Sequence, residues 1–252
     1  DHRDLHSFPT RRSSDLQRLS VFRDPDAAPA LAHLLNDNVR EVRLAAAVAI
    51  AACGTRESIP SLLAALDTGD SLTAQAAAVA LENLTGHAEE FNGFAAKPAR
   101  AAQAAKWRAW FASTDWRSIE QDLVHRLQSA DRDEVRRAAV ALGHVGQDAA
   151  RDALRAYVAR ERANNPYTEW RKAHNGDGAQ FNTLSPANPR ALQAATRSLG
   201  YLKDVKALSM LAETVVRNSD PATANLFLAE AAVEAMGRIG TPQAQDALVQ
   251  SL

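Results

Sequence analysis

Along most of the chain, apolar and small residues recur at the three- and four-residue spacing of a helix with one buried face. The run from Asp37 to Ile50, with Val42-Arg43 followed by Leu44 and then Ala45 to Ala47, aligns with the run from Asp131 to Leu142, with Val135-Arg136 followed by Arg137 and then Ala138-Ala139. Ser71 to Leu81 is a third copy, and Leu192 to Leu199 and Ala229 to Met236 are weaker fourth and fifth copies. A second element follows most of them: Pro29-Ala30-Leu31, Pro60-Ser61-Leu62, Asp152-Ala153-Leu154, Ser209-Met210-Leu211 and Asp246-Ala247-Leu248.

Each unit therefore reads as a pair of helices joined by a tight turn. One pair cannot bury its own apolar face, so neighbours must stack. Asp37, Asp70 and Asp131 stand where a carboxylate can accept from the free N–H groups of a first helical turn. Gly54, Gly146 and Gly240 stand where that helix is expected to end in a left-handed residue. Pro29 and Pro60 suit the first turn of the second helix, where no N–H is needed. The apolar anchors Ile50, Leu81, Leu142, Leu199 and Met236 lie 31, 61, 57 and 37 residues apart, so the two long gaps must hold insertions or degenerate repeats.

Composition narrows the class. Alanine, the best helix former, supplies 53 of 252 residues, and only 11 are glycine, which points to an all-α chain. Lys and Arg number 29 and Asp and Glu 30, a net charge of −1, so no positive excess marks a binder of nucleic-acid phosphates. Cys53 is the only cysteine, which excludes a disulfide framework. No uncharged apolar run approaches the roughly 20 residues that span a bilayer.

The Asp-x-x-x-x-Val-Arg-x-x-Ala-Ala pattern followed by Pro-x-Leu-x-x-Leu resembles HEAT repeats, in particular the short bacterial kind named after phycobilisome lyases. The resemblance covers about residues 24–86, 118–160 and 190–252. It implies an α-solenoid of stacked antiparallel helix pairs (armadillo-like) running as a single domain over 17–252, with insertions at about 86–116 and 164–189. It also implies that Val42 and Val135 are buried, and that Arg43 and Arg136 pair with acids of adjacent repeats. The segment from His6 to Leu16 has no apolar period and resembles a translated sequencing-library adapter. Residues 1–16 are therefore expected to be an artefact outside the fold, and the reading frame a fragment continuing beyond both ends.

The two insertions hold the least repetitive chemistry. In the first, Trp107, Trp110 and Phe111 fall at i, i+3 and i+4 of a helix expected over Pro98 to Phe111, and so share one face. They read either as a local aromatic core or as a recognition patch. The second, Asn164 to Pro189, is full of turn formers and reads as a long loop, a kind of segment that is often functional. Its Tyr167, Trp170, Arg171, His174 and Phe181 either pin it to the scaffold or bind. Trp107, Trp110, Tyr167, Trp170, Arg171, His174 and Phe181 are thus the candidate partner-binding residues.

Catalytic patterns are missing from the sequence. There is no His-Glu dipeptide of the di-iron HEAT hydroxylases, no helical His pair for zinc, no Gly-x-Ser-x-Gly elbow and no phosphate-cradling glycine loop. Cys53 reads as a small buried thiol. Neither a catalytic site nor a metal or cofactor is expected. The expected function is a scaffold that binds a protein partner, or another domain of the same chain, through the solenoid surface and inserted loops. Neither a membrane nor nucleic acid is the expected partner. A phycobilisome lyase-like enzyme or accessory, and a nucleic-acid-binding HEAT-like protein, remain the alternatives.

Overall fold

The structure, a computed structural model, describes residues 24–68, 70–162, 166–178, 180, 181, 188–218 and 225–251. Residues 1–16 lie outside them. The described residues form thirteen α-helices and no strand. They divide into two compact units, residues 1–119 and 120–252.

The first unit holds α1 (Ala28–Leu34), α2 (Arg40–Cys53), α3 (Ile59–Ala65), α4 (Ser71–Thr85) and α5 (Lys97–Ser113). Helix α6 (Trp116–Arg126) runs across the boundary between units. Within this unit α1 packs on α2, α3 on α4, α2 on α4, and α3 meets α5. Pro29 and Pro60 sit in the first turns of α1 and α3, as the sequence pattern predicts. Val42, Ile50, Leu62, Leu66, Leu81 and Leu84 are fully enclosed. Cys53 is buried, with its thiol 3.1 Å from the Ala49 carbonyl oxygen.

The second unit holds α7 (Arg132–Val145), α8 (Asp148–Arg162), α9 (Pro166–Ala173), α10 (Pro189–Tyr201), α11 (Leu208–Arg217), α12 (Leu226–Ile239) and α13 (Pro242–Ser251). Helix α10 packs against both α7 and α12. Helix α8 lies on α10, and α11 lies on α12 and α13. Val135, Leu142, Leu199 and Met236 are buried, so the repeat anchors of both units face the interior.

Small residues set the spacing in this stack. A methyl group on Gly200 of α10 would stand 2.6 Å from the Ala235 Cα of α12. One on Gly143 of α7 would stand 2.5 Å from the Ser198 hydroxyl of α10, which itself donates to the Ala139 carbonyl at 2.7 Å. Ordinary carbon contacts lie near 3.5–4.0 Å, so these helices approach closer than any larger residue permits.

The helix ends follow the sequence reading in part. Asp70 and Asp131 cap α4 and α7 by accepting from backbone N–H groups. Asp37 instead accepts from the Val39 N–H at 2.7 Å, and α2 begins only at Arg40, so this carboxylate holds the turn before the helix. Gly240 is left-handed, and so is Gly86 after α4. Gly54 and Gly146 are extended, contrary to expectation. Their reason is space: a Cβ on Gly54 would lie 2.7 Å from the Leu84 side chain, and one on Gly146 2.3 Å from that of Ala150.

The arginine ladder also holds in one unit and fails in the other. Arg43 and Arg40 of α2 both reach Asp70 at the start of α4, at 3.5 and 3.2 Å. Burial works to raise the Asp70 carboxyl, but hydrogen bonds from Thr73 and Arg40 outweigh it and hold it below the usual aspartate range. Arg136 meets Asp133 on its own helix, not an acid of the next repeat. The cap of α10 is the uncharged Asn188, so the acid that Arg43 finds at Asp70 has no counterpart there. Other rungs take over, between Arg155 and Asp204 at 2.7 Å and between Arg197 and Glu234 at 2.7 Å.

Candidate functional site

In the first insertion the predicted helix is present as α5, two residues longer at its C-terminus and one at its N-terminus. Left-handed Gly86 ends α4 and turns the chain so that His87 comes back over α5. The His87 ring lies parallel to Trp110 at 3.9 Å and edge-on to Trp107 at 5.3 Å. Phe111 then meets Trp116, and the Arg56 guanidinium lies 4.9 Å from the Trp116 ring. Trp107 is fully enclosed, so it presents no surface to a partner and serves as the centre of this packing. Trp110 and Phe111 are half-buried at its rim.

The second insertion is not the continuous loop that its turn formers predict. Residues Pro166–Ala173 form α9. Proline in the first turn costs no hydrogen bond, and Asn175 and Gly176 adopt positive φ just beyond the helix end. Residues 163–165, 179 and 182–187, in and beside this insertion, lie outside the described residues.

Phe181 is the anchor of the insertion. It is buried, and Tyr167 and Trp170 of α9 meet it edge-on at 4.9 and 6.1 Å. Trp170 is half-buried and stacks on the exposed His174 ring at 3.7 Å, while His174 Nδ1 lies 2.9 Å from the Trp170 carbonyl. Arg171 donates to the Gly176 carbonyl at 2.8 Å and lies 5.9 Å from the Tyr167 ring. A Cβ on Gly178 would lie 2.4 Å from the Tyr167 hydroxyl, so the chain passes directly over that ring. Five of the seven candidates therefore converge on one small element, and Trp107 and Trp110 belong to a separate cluster in the other unit. Of the five, Phe181 is enclosed while Tyr167, Trp170, Arg171 and His174 keep exposed surface.

Sequence reading misses what lies next to Phe181. This residue forms one wall of a cavity of about 170 Å³, also bounded by α10, α11, α12 and the end of α8. Arg162, the last residue of α8, lines it. The lining residues are spread over 161–228, and no local motif marks them.

No described helix is long and apolar enough to cross a membrane. Among known families, residues 12–82 match HEAT repeats, and residues 228–252 match the PBS lyase HEAT-like repeat. No curated protein matches the chain. The buried repeat anchors, the prolines of the first turns and these two matches agree: residues 12–82 and 228–252 are similar to HEAT repeats.

Proposed function

We propose that the chain is a non-catalytic interaction scaffold whose second unit meets a protein partner through α9. HEAT repeats in general serve as protein-interaction scaffolds. The observation that carries the reading is the Trp170–His174 stack. It stands on an inserted helix whose aromatic underside is already satisfied by Phe181, so its outer surface is spare. Tryptophan and arginine dominate the energy of protein interfaces because they exclude water from a large area while keeping one polar group to place. Trp170 and Arg171 supply both within one turn. The partner is another protein or a further domain of the same polypeptide. Neither a membrane nor nucleic acid is the proposed partner.

The test is affinity capture from the source cells with the full chain and with a Trp170→Ala/His174→Ala double variant. Capture of the same discrete proteins by the wild type and by the double variant, at equal helicity, would refute α9 as the contact. A visible absorption band in the purified protein would refute the scaffold reading in favour of a lyase-like one.

A further inference from the structure

The cavity beside Phe181 has the size and the polarity of a ligand site. Its volume of about 170 Å³ is close to that of a cavity of about 150 Å³ known to accept benzene. Phe181, Pro189, Leu192 and Leu228 supply apolar walls.

Its neutral polar residues are committed to the fold. Asn188 donates to the Arg132 carbonyl and accepts from the Ala191 N–H. Asn218 donates to the Thr214 carbonyl and accepts from the Asn225 N–H. Asn225 accepts from the Leu228 N–H as the cap of α12, and Thr214 donates to the Met210 carbonyl.

Arg162 is different. Its Nη2 donates to Glu213 at 2.8 Å, but Nε and Nη1 are buried without a hydrogen-bond partner among the described residues. A guanidinium carries donors only, and leaving them dry is costly. The local charge points the same way. Arg162 and Arg217 share the single carboxylate of Glu213, and Glu161 is engaged by Arg160 at 2.9 Å. Among the described residues, one positive charge is left over at the cavity edge.

We propose that this cavity binds a small organic monocarboxylate whose apolar body is about the size of one aromatic ring. The body lies among Phe181, Leu192 and Leu228, and the carboxylate accepts from Arg162. An acceptor-only anion answers both the spare donors and the unpaired charge, whereas an alcohol accepts without supplying charge and an ammonium group supplies no acceptor.

The test uses the full chain, with titration calorimetry and thermal unfolding in the presence of benzoate, benzamide or acetate. Benzoate is expected to bind and to raise Tm with concentration. Benzamide, which keeps the ring and loses the charge, and acetate, which keeps the charge and loses the ring, are each expected to bind about tenfold more weakly or worse, since each forfeits one of the two contacts. Leu228→Phe fills the cavity and is expected to fold and to lose the benzoate response. Arg162→Gln is expected to weaken benzoate to the level of benzamide. Equal responses to benzoate and benzamide, a benzoate response that survives Leu228→Phe, or no response at all (a cavity already filled by water or chain) would each overturn the proposal.

Discussion

Replacing Gly200 with alanine tests whether α10 and α12 truly meet at backbone distance. The new methyl would lie 2.6 Å from the Ala235 Cα and 3.0 Å from its carbonyl oxygen. Both are main-chain atoms, so no side-chain rotation relieves the overlap, and the helices must part by about 1 Å to regain ordinary contact. Overpacking of this kind costs about 1–3 kcal/mol. Against it stands the helix preference of alanine over glycine, about 1 kcal/mol. The internal reference is Gly237 of α12, where an added methyl would meet nothing within 4 Å and would gain the same preference without the clash. The difference between Gly200→Ala and Gly237→Ala therefore isolates the overlap, at about 1–3 kcal/mol. For a chain of this size each kcal/mol moves Tm by about 2–4 °C. Thermal unfolding followed by circular dichroism should place Gly237→Ala above the wild type and Gly200→Ala below Gly237→Ala by that margin. Equal stability of the two variants would refute the close approach.

Other substitutions separate packing from surface. Trp107→Ala should cost about 3–5 kcal/mol in a denaturant titration, because the ring is fully enclosed, whereas Trp170→Ala should cost about 1 kcal/mol or less. Glu120 is buried and accepts from the Gln147 and Ala150 N–H groups at 2.6 and 3.0 Å, so Glu120→Ala should lose about 1–3 kcal/mol by orphaning the start of α8. At the acid end, Asp70 and Glu234 are both held below their usual ranges: burial opposes, but hydrogen bonds from Thr73 and Arg40 prevail at Asp70 and those from Arg238 and Arg197 at Glu234. Their stabilisation is complete above the ordinary carboxylate pKa of about 4 and is lost as pH falls through their depressed folded values. Tm should therefore drop below about pH 4, and less steeply in Asp70→Asn. At the alkaline end burial pushes the Tyr157 hydroxyl up to about 12 from 10.0. The unfolded chain ionises first, so stability should fall from about pH 10 to about 12, and Tyr157→Phe should reduce that fall.

The repeat is legible because its signals are local. Ile50, Leu81, Leu142, Leu199 and Met236 repeat a packing position, and all five are enclosed. Pro29 and Pro60 mark first turns through a covalent constraint that tertiary context cannot remove. Gly54 and Gly146 mislead because glycine has two uses. A sequence shows the missing side chain but not whether φ or the neighbouring helix demands it. Helix α9 is obscured by surrounding turn formers, although Pro166 at its start and Asn175-Gly176 after its end are ordinary start and stop signals. Arg136 finds no acid of the next repeat, and pairs with Asp133 of its own helix, because the residue that caps the next stacked helix is Asn188, a difference visible in the sequence only once the register across the insertion is known. The cavity is beyond reach for the same reason, since Arg162, Phe181 and Leu228 come together only in three dimensions.

Backbone hydrogen exchange measured peptide by peptide tests the stacked arrangement most directly. If α7, α10 and α12 are one packed layer and α2 and α4 another, their amides exchange slowest and, within each layer, with similar protection, while α9 exchanges orders of magnitude faster. Exchange of α10 as rapid as that of α9, with α7 and α12 protected independently of it, would contradict the stacking of these repeats.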